Sequence, residues 1–185
     1  MERDGTMMLR TLAVSLAGAL VASSALTPAP ASAQVASAAC IPGASTLPAA
    51  LAGWVSHRPL AAATQASRLR EAGLVTGEGV DATLVPTPDV HYIVKPEKLG
   101  GSVSYGGLFT FAVGQAGTYR VALGAAAWID VLRHDKAIAS VAHGHGLECT
   151  GIRKMVDFPL VPGRYTLQIA ANGAAVLPLL VVRLP

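Results

Sequence analysis

Short runs in which apolar and polar residues alternate fill the second half of the chain. In residues 118–124, for example, Tyr119, Val121 and Leu123 share one face and the intervening residues share the other. Alternation with period two is typical of strands that bury one face, and glycine, proline, aspartate or asparagine separates most runs. No long amphipathic helix intervenes, which argues against parallel strands joined by helices. The pattern therefore predicts an all-β domain over residues 81–185, an antiparallel β-sandwich of jelly-roll-like form.

Two stretches of this region repeat one form. Residues 111–123 (FAVGQAGTYRVAL) and 158–169 (FPLVPGRYTLQI) both read Phe-x-aliphatic, a turn with glycine, and then Tyr-x-aliphatic-x-aliphatic. Glycine allows the backbone to reverse in a tight turn, so each stretch is interpreted as a β-hairpin. The phenylalanine and tyrosine of both stretches are expected in the core that the sheets share.

The start of the chain has the layout of a secretory signal peptide. Arg10 precedes an apolar stretch over residues 12–21, and Ala31-Ser32-Ala33 forms a small-x-small cleavage site. The apolar stretch is shorter than the ~20 residues that a membrane-spanning helix needs. We expect residues 1–33 to be removed near Ala33 and the protein to be periplasmic or secreted, without a membrane span.

Residues 34–80 lack the alternation of the second half and are expected to form an N-terminal arm. Their first part is rich in alanine, serine and proline, and residues 47–54 suit one helical turn. A short helix is expected around residues 64–72.

The chain contains two cysteines, Cys40 and Cys149. In an oxidising compartment such a pair favours a disulfide, which here would tie the start of the exported chain to a histidine-bearing loop. Two unpaired thiols are the alternative.

Charge excludes one class of partner. The net charge is only +3, and the basic residues are scattered, with no basic run interleaved with aromatic residues. A protein that binds nucleic acid concentrates its positive charge on one face, so nucleic-acid binding is not expected.

His143 and His145 are the candidate metal ligands. Residues i and i+2 of a strand face the same way, and neutral imidazoles bind iron, copper or zinc. A catalytic site of this kind needs a third ligand, which Cys149 supplies only if it is outside a disulfide. The alternative is a glycine-rich loop whose imidazoles form local hydrogen bonds.

Trp128 and Asp130 are candidate ligand-binding residues because alternation points both outward if Ile129 and Val131 face the core. An exposed indole beside a carboxylate would suit a sugar ring or a peptide. In the alternative, residues 40–60 cover Trp128 and Asp130 hydrogen-bonds a neighbouring loop.

Lys154 is the last candidate ligand-binding residue, at the start of a predicted strand in which Asp157 faces out. It is either a buried charge paired with Asp130 or Glu148, or a solvated lysine at a strand end.

Residues 51–54 (LAGW), 118–133 (TYRVALGAAAWIDVLR) and 140–170 (SVAHGHGLECTGIRKMVDFPLVPGRYTLQIA) together resemble a family of short exported bacterial proteins without established activity. Some of its members are named homogentisate 1,2-dioxygenase, which implies an iron-dependent, ring-cleaving oxygenase of cupin fold. Such enzymes hold iron through a His-x5-Glu pair and a further histidine. Here Cys149 stands six residues after His143, so the resemblance assigns no iron ligand.

The sequence favours an exported, non-catalytic binding or accessory module for a glycan or protein of the cell envelope, with no cofactor. One alternative is a small metal-dependent enzyme, dioxygenase-like, that uses iron, copper or zinc at His143 and His145. Another is a structural envelope protein. The interaction face of the favoured module consists of Trp128, Asp130, His143, His145 and Lys154.

Overall fold

The computed structural model describes Cys40 and residues 47–185. The predicted signal peptide and the rest of residues 34–46 lie outside the described residues. The described elements are three 3₁₀ helices and twelve strands, in the order η1 (Ala49–Val55), β1 (His57–Ala61), η2 (Ala66–Glu71), β2 (Gly73–Leu74), β3 (Gly79–Thr83), β4 (Val85–Pro86), η3 (Thr87–Asp89), β5 (Tyr105–Val113), β6 (Gly117–Leu123), β7 (Trp128–Arg133), β8 (Lys136–Ala137), β9 (Ala142–Gly144), β10 (Lys154–Leu160), β11 (Gly163–Asn172) and β12 (Val176–Arg183). No helix in this part of the chain is long and apolar enough to cross a membrane.

The strands form two sheets that pack face to face, so the predicted all-β sandwich is confirmed. The first sheet has the order β1-β3-β12-β6-β10-β9, and the second has the order β2-β5-β11-β7-β8 with β4 also paired to β5. The side chains that alternation assigned to the interior fill the space between them, including Tyr119, Val121 and Leu123. Burial of these apolar faces stabilises the fold, at roughly 25 cal/mol per Å² of apolar surface removed from water.

Two strand pairs are parallel, which corrects the purely antiparallel expectation. β1 pairs with β3 in the first sheet and β2 pairs with β5 in the second. Neighbouring parallel strands need a long connection, because the chain must return to the same end of the sheet. Between β1 and β3 the chain makes that return through η2 and through β2 in the opposite sheet.

Residues 47–80, expected as part of an arm, supply strands to both sheets. β1 and β2 lie wholly within this range, and the expected domain boundary at residue 80 falls inside β3. The two helical segments expected here are 3₁₀ helices η1 and η2. Alternation did not reveal the strands because β2 has only two residues and Pro59 interrupts the five residues of β1.

The repeated stretches are not hairpins, so that prediction is wrong. Each carries the chain from one sheet to the other, from β5 to β6 and from β10 to β11. The repeats pair with each other instead, with Phe111 opposite Tyr165 and Phe158 opposite Tyr119. A glycine turn between a phenylalanine strand and a tyrosine strand looks the same in sequence whether the strands pair or separate.

Both tyrosines of the repeats fasten the turn that precedes them. The Tyr119 hydroxyl donates to the Gln115 carbonyl oxygen at 3.0 Å. The Tyr165 hydroxyl donates to the Val161 carbonyl oxygen at 2.9 Å and accepts from the Val161 N–H at 3.1 Å. This hydrogen bond to the backbone four residues upstream is the tyrosine corner of β-sandwiches.

A second, smaller apolar cluster lies on the outer face of the first sheet. There η1 buries Leu51 and Trp54 against Leu180 and Val182 of β12. The Trp54 Nε1–H donates to the Thr150 carbonyl oxygen at 2.8 Å, which fastens η1 to the loop that follows β9.

The predicted disulfide between Cys40 and Cys149 is confirmed. The two Cα atoms are 5.1 Å apart, within the usual range for a disulfide. The loop from residue 145 to residue 153 is therefore fastened twice, by this bond and by Trp54.

Candidate functional site

The main cleft lies at the edge of the sandwich formed by β8 and β9. It has a volume of about 570 Å³, which is in the range of small-molecule binding sites. Its lining comes from β7 of the second sheet, from β9 and β10 of the first, and from the segment that connects β8 to β9. It brings together four of the five sequence-predicted ligand residues: Trp128, Asp130, His143 and Lys154.

The short strand β8 leaves this edge open. β8 pairs only with Leu132 and Arg133 of β7, and the Ile138 N–H extends the contact to Val131. The chain then crosses to the first sheet, where β9 pairs with β10. Among the described residues, no strand pairs with Trp128–Asp130 on this side.

Alternation along β7 sets the facing of the two candidate residues, as predicted. Ile129 and Val131 lie in the core, and Trp128 and Asp130 point away from it, both half-buried. The Trp128 Nε1–H donates to Asp130 Oδ1 at 3.0 Å. The alternative in which residues 40–60 cover Trp128 is not seen among the described residues, because η1 packs on the outer face of the first sheet.

The second oxygen of Asp130 lacks a hydrogen bond. Oδ2 is buried, and no described residue meets it with acceptable hydrogen-bond geometry. Burial raises the pKa of the Asp130 carboxyl, the neighbouring Trp128 and Gln168 side chains oppose the rise, and the charge of Glu97 adds to it. The site thus holds a carboxyl whose Oδ2 accepts no well-formed hydrogen bond, with the Gln168 side chain opposite it on β11.

Two lysines flank the indole of Trp128. The Lys98 Nζ lies 5.6 Å from the ring centroid and the Lys154 Nζ lies 5.7 Å from it, both within cation–π range. The Lys154 ammonium also donates to the Ala127 carbonyl oxygen at 2.7 Å. Burial lowers the pKa of Lys154, and the charge of Lys98 lowers it further. Lys154 is therefore half-buried at a strand end and pairs with a backbone carbonyl, rather than with Asp130.

Sequence reasoning missed Glu97 and Lys98, which line the cleft from the long loop between η3 and β5. Gln168 of β11, fully buried, holds this loop against the outer face of the second sheet. Its Oε1 accepts from the N–H groups of Ile93 and Val94 at 2.7 and 3.2 Å, and its Nε2 donates to the Val94 carbonyl oxygen at 2.9 Å. Nothing local to residues 97 and 98 signals this position.

The two candidate histidines separate. His143 lies in β9 opposite Val156 and lines the cleft. β9 ends at Gly144, so the alternation that would give His145 the same facing does not continue. His145 is outside the cleft lining, with its Nδ1 3.4 Å from the Arg153 carbonyl oxygen.

The iron site implied by the dioxygenase name has no complete ligand set among the described residues. They contain no group of three or more histidine, cysteine, aspartate or glutamate side chains placed to hold a metal ion. The Cys149 sulfur lies in the disulfide and is not available as a thiolate ligand. The metal-binding hypothesis for His143 and His145 stays a prediction.

Comparison of the chain with protein-family models gives no match, and comparison with curated proteins gives no match either. The resemblance noted from the sequence stays a prediction as well. The candidate function consequently depends on the chemistry of the cleft.

Proposed function

We propose that the protein is an exported, non-catalytic binding module whose ligand occupies the cleft at Trp128. The observation that carries this proposal is the convergence of Trp128, Asp130, His143 and Lys154, chosen from the sequence for their chemistry, in one cleft of ligand size. An aromatic ring, charged groups of both signs and an apolar floor are what a specific ligand site needs.

The strands and hydrogen bonds that hold the cleft residues in place favour a binding role for these residues over a role in packing alone. Trp128 and Asp130 stand on β7, which is hydrogen-bonded along its other side to β11. Lys154 is held by the Ala127 carbonyl, and β9 holds His143 beside β10. A site held in this way loses little conformational freedom when a ligand binds.

The disulfide supports the export part of the proposal. Structural disulfides persist in oxidising compartments and are rare in the cytosol. Together with the predicted signal peptide at residues 1–33, the Cys40–Cys149 bond favours a periplasmic or secreted protein.

The test is a ligand screen on protein that is expressed as the full chain and purified from the periplasm. Envelope glycans and peptides are assayed by calorimetry, and any ligand found is measured again on variants. We expect His143→Ala and Trp128→Ala to weaken its affinity at least tenfold, and His145→Ala to leave it within twofold. Equal effects of the two histidine variants would contradict a ligand in the cleft.

Metal analysis of the same preparation tests the enzyme alternative. Near-stoichiometric iron, copper or zinc that disappears in His143→Ala would replace the binding-module proposal with a metal-dependent function. A sample that is folded without metal and binds a ligand in the cleft supports the proposal.

A further inference from the structure

Resting on the proposed binding function, we infer that the ligand is an acidic sugar. Its carboxylate lies at the ammonium groups of Lys98 and Lys154, its ring lies in the cleft beside Trp128, and one of its hydroxyl groups donates to Asp130.

The two lysines create a place for an anion. Their ammonium groups lie over the same indole, and the charge of Lys98 disfavours the charged form of Lys154. Among the described residues, no carboxylate lies within 4.0 Å of either ammonium group to offset this repulsion. A ligand carboxylate at these ammonium groups would form charge-assisted hydrogen bonds and reduce the repulsion.

The Asp130 carboxyl, which lines the same cleft, favours a hydrogen-bond donor on the ligand. Its Oδ1 is occupied by the Trp128 Nε1–H, and its Oδ2 is buried without a well-formed hydrogen bond. A buried acceptor that loses water without gaining a donor is unfavourable, and a ligand hydroxyl supplies the missing donor when the carboxyl turns Oδ2 toward the cleft.

The cleft also has an apolar floor, to which Ile129, Val156 and Phe158 contribute. A ligand that fits must therefore combine a carboxylate, hydroxyl donors and an apolar face within a volume of about 570 Å³. A pyranose ring that bears a carboxylate combines all three in one residue.

The experiment measures binding of galacturonate and glucuronate oligosaccharides, with galactose and glucose oligosaccharides of equal length as neutral counterparts. Calorimetry is supported by the fluorescence of Trp128, which Trp54→Phe isolates because these are the only two tryptophans. We expect at least one acidic oligosaccharide to bind ten times more tightly than its neutral counterpart. Its affinity should fall as salt is raised, since the Debye length shortens.

Lys98→Ala and Lys95→Ala are the matched variants, because both lysines are exposed and lie on the same loop but only Lys98 lines the cleft. Loss of one charge-assisted contact is expected to weaken acidic-sugar binding about tenfold in Lys98→Ala. Lys95→Ala should remain within twofold. Lys98→Gln, which keeps a long polar side chain but removes the charge, should lose as much affinity as Lys98→Ala.

The outcomes separate this inference from the proposed function. Neutral oligosaccharides or peptides that bind in a Trp128-dependent manner, without preference for the acidic sugars, would overturn the inference and leave the binding module standing. Acidic-sugar binding that Lys98→Ala and Lys95→Ala weaken equally would overturn it too. Failure of every acidic probe would overturn it, and absence of any ligand for the cleft would overturn the binding module as well.

Discussion

Removal of the Cys40–Cys149 disulfide should destabilise the protein by several kcal/mol without changing its fold. The two cysteines are 109 residues apart, so the bond closes a long loop in the unfolded chain. The chain-entropy relation for a loop of this length gives about 4.8 kcal/mol of stabilisation at 25 °C. Because the described strands lie in residues 57–183, both sheets should form without the bond. We expect a measured loss of about 2–5 kcal/mol in the free energy of unfolding, the range typical of native disulfides.

Urea unfolding of a Cys40→Ser/Cys149→Ser variant, followed by circular dichroism, measures this loss. The midpoint should fall, and the urea dependence should steepen because an unfolded chain without the cross-link exposes more surface. Reductant should reproduce the shift in the wild type and leave the variant unchanged, which is the control. A variant that unfolds at the wild-type midpoint with the same slope would refute the reasoning, since it would mean that the bond does not restrict the unfolded chain.

Three further predictions concern single side chains. Tyr165→Phe removes a hydroxyl that makes two hydrogen bonds and should lower the free energy of unfolding in urea by about 2 kcal/mol. Tyr119→Phe removes a hydroxyl that makes one and should lower it by about 1 kcal/mol, so equal losses would contradict this account. Burial raises the pKa of Asp130 above its ordinary value of 3.8, so the native state holds that proton more tightly than the unfolded state. The wild type should therefore lose stability relative to Asp130→Asn as the pH rises through and above 3.8, and a difference independent of pH would be evidence against it. Arg120→Ala leaves the buried Asp157 carboxylate without the guanidinium that contacts it at 2.7 and 2.8 Å. We expect a loss of about 2–3 kcal/mol in the free energy of unfolding at pH 7, and a loss below 0.5 kcal/mol would indicate that solvent compensates the charge.

The sequence predicts the strands of the sandwich well where one face of a strand is buried in the core and the other face is not. Along β7, for example, Ile129 and Val131 face the core while Trp128 and Asp130 face outward. The same signal cannot assign a strand to one sheet or the other, because alternation reports only that one face is buried. Alternation therefore predicts hairpins at the two repeats, although the strands of each repeat belong to opposite sheets.

In the candidate site, too, the sequence pattern identifies some residues and not others. Trp128, Asp130 and Lys154, which chemistry and alternation select as candidate ligand-binding residues, line the cleft. The placement of His145 depended on where β9 ends, which a Gly-His-Gly sequence does not specify. Lys98 was missed because its position depends on hydrogen bonds from Gln168, seventy residues further along the chain.

The location of the cleft follows from the shortness of the strands at the edges of the sandwich. Long, regular edge strands invite pairing with other chains, and natural sheets often protect themselves with short edge strands. Three edge strands here follow that rule: β2 and β8 have two residues each and β9 has three. At the edge formed by β8 and β9, this shortness leaves part of β7 and β10 without a neighbouring strand, and the chain crosses between the sheets instead of covering them. The short edge strands that protect the sheets from pairing with other chains therefore also leave open the space in which Trp128 and Asp130 can contact a ligand. Extending β8 by design across Trp128–Asp130 should close the cleft and abolish ligand binding while preserving the two sheets.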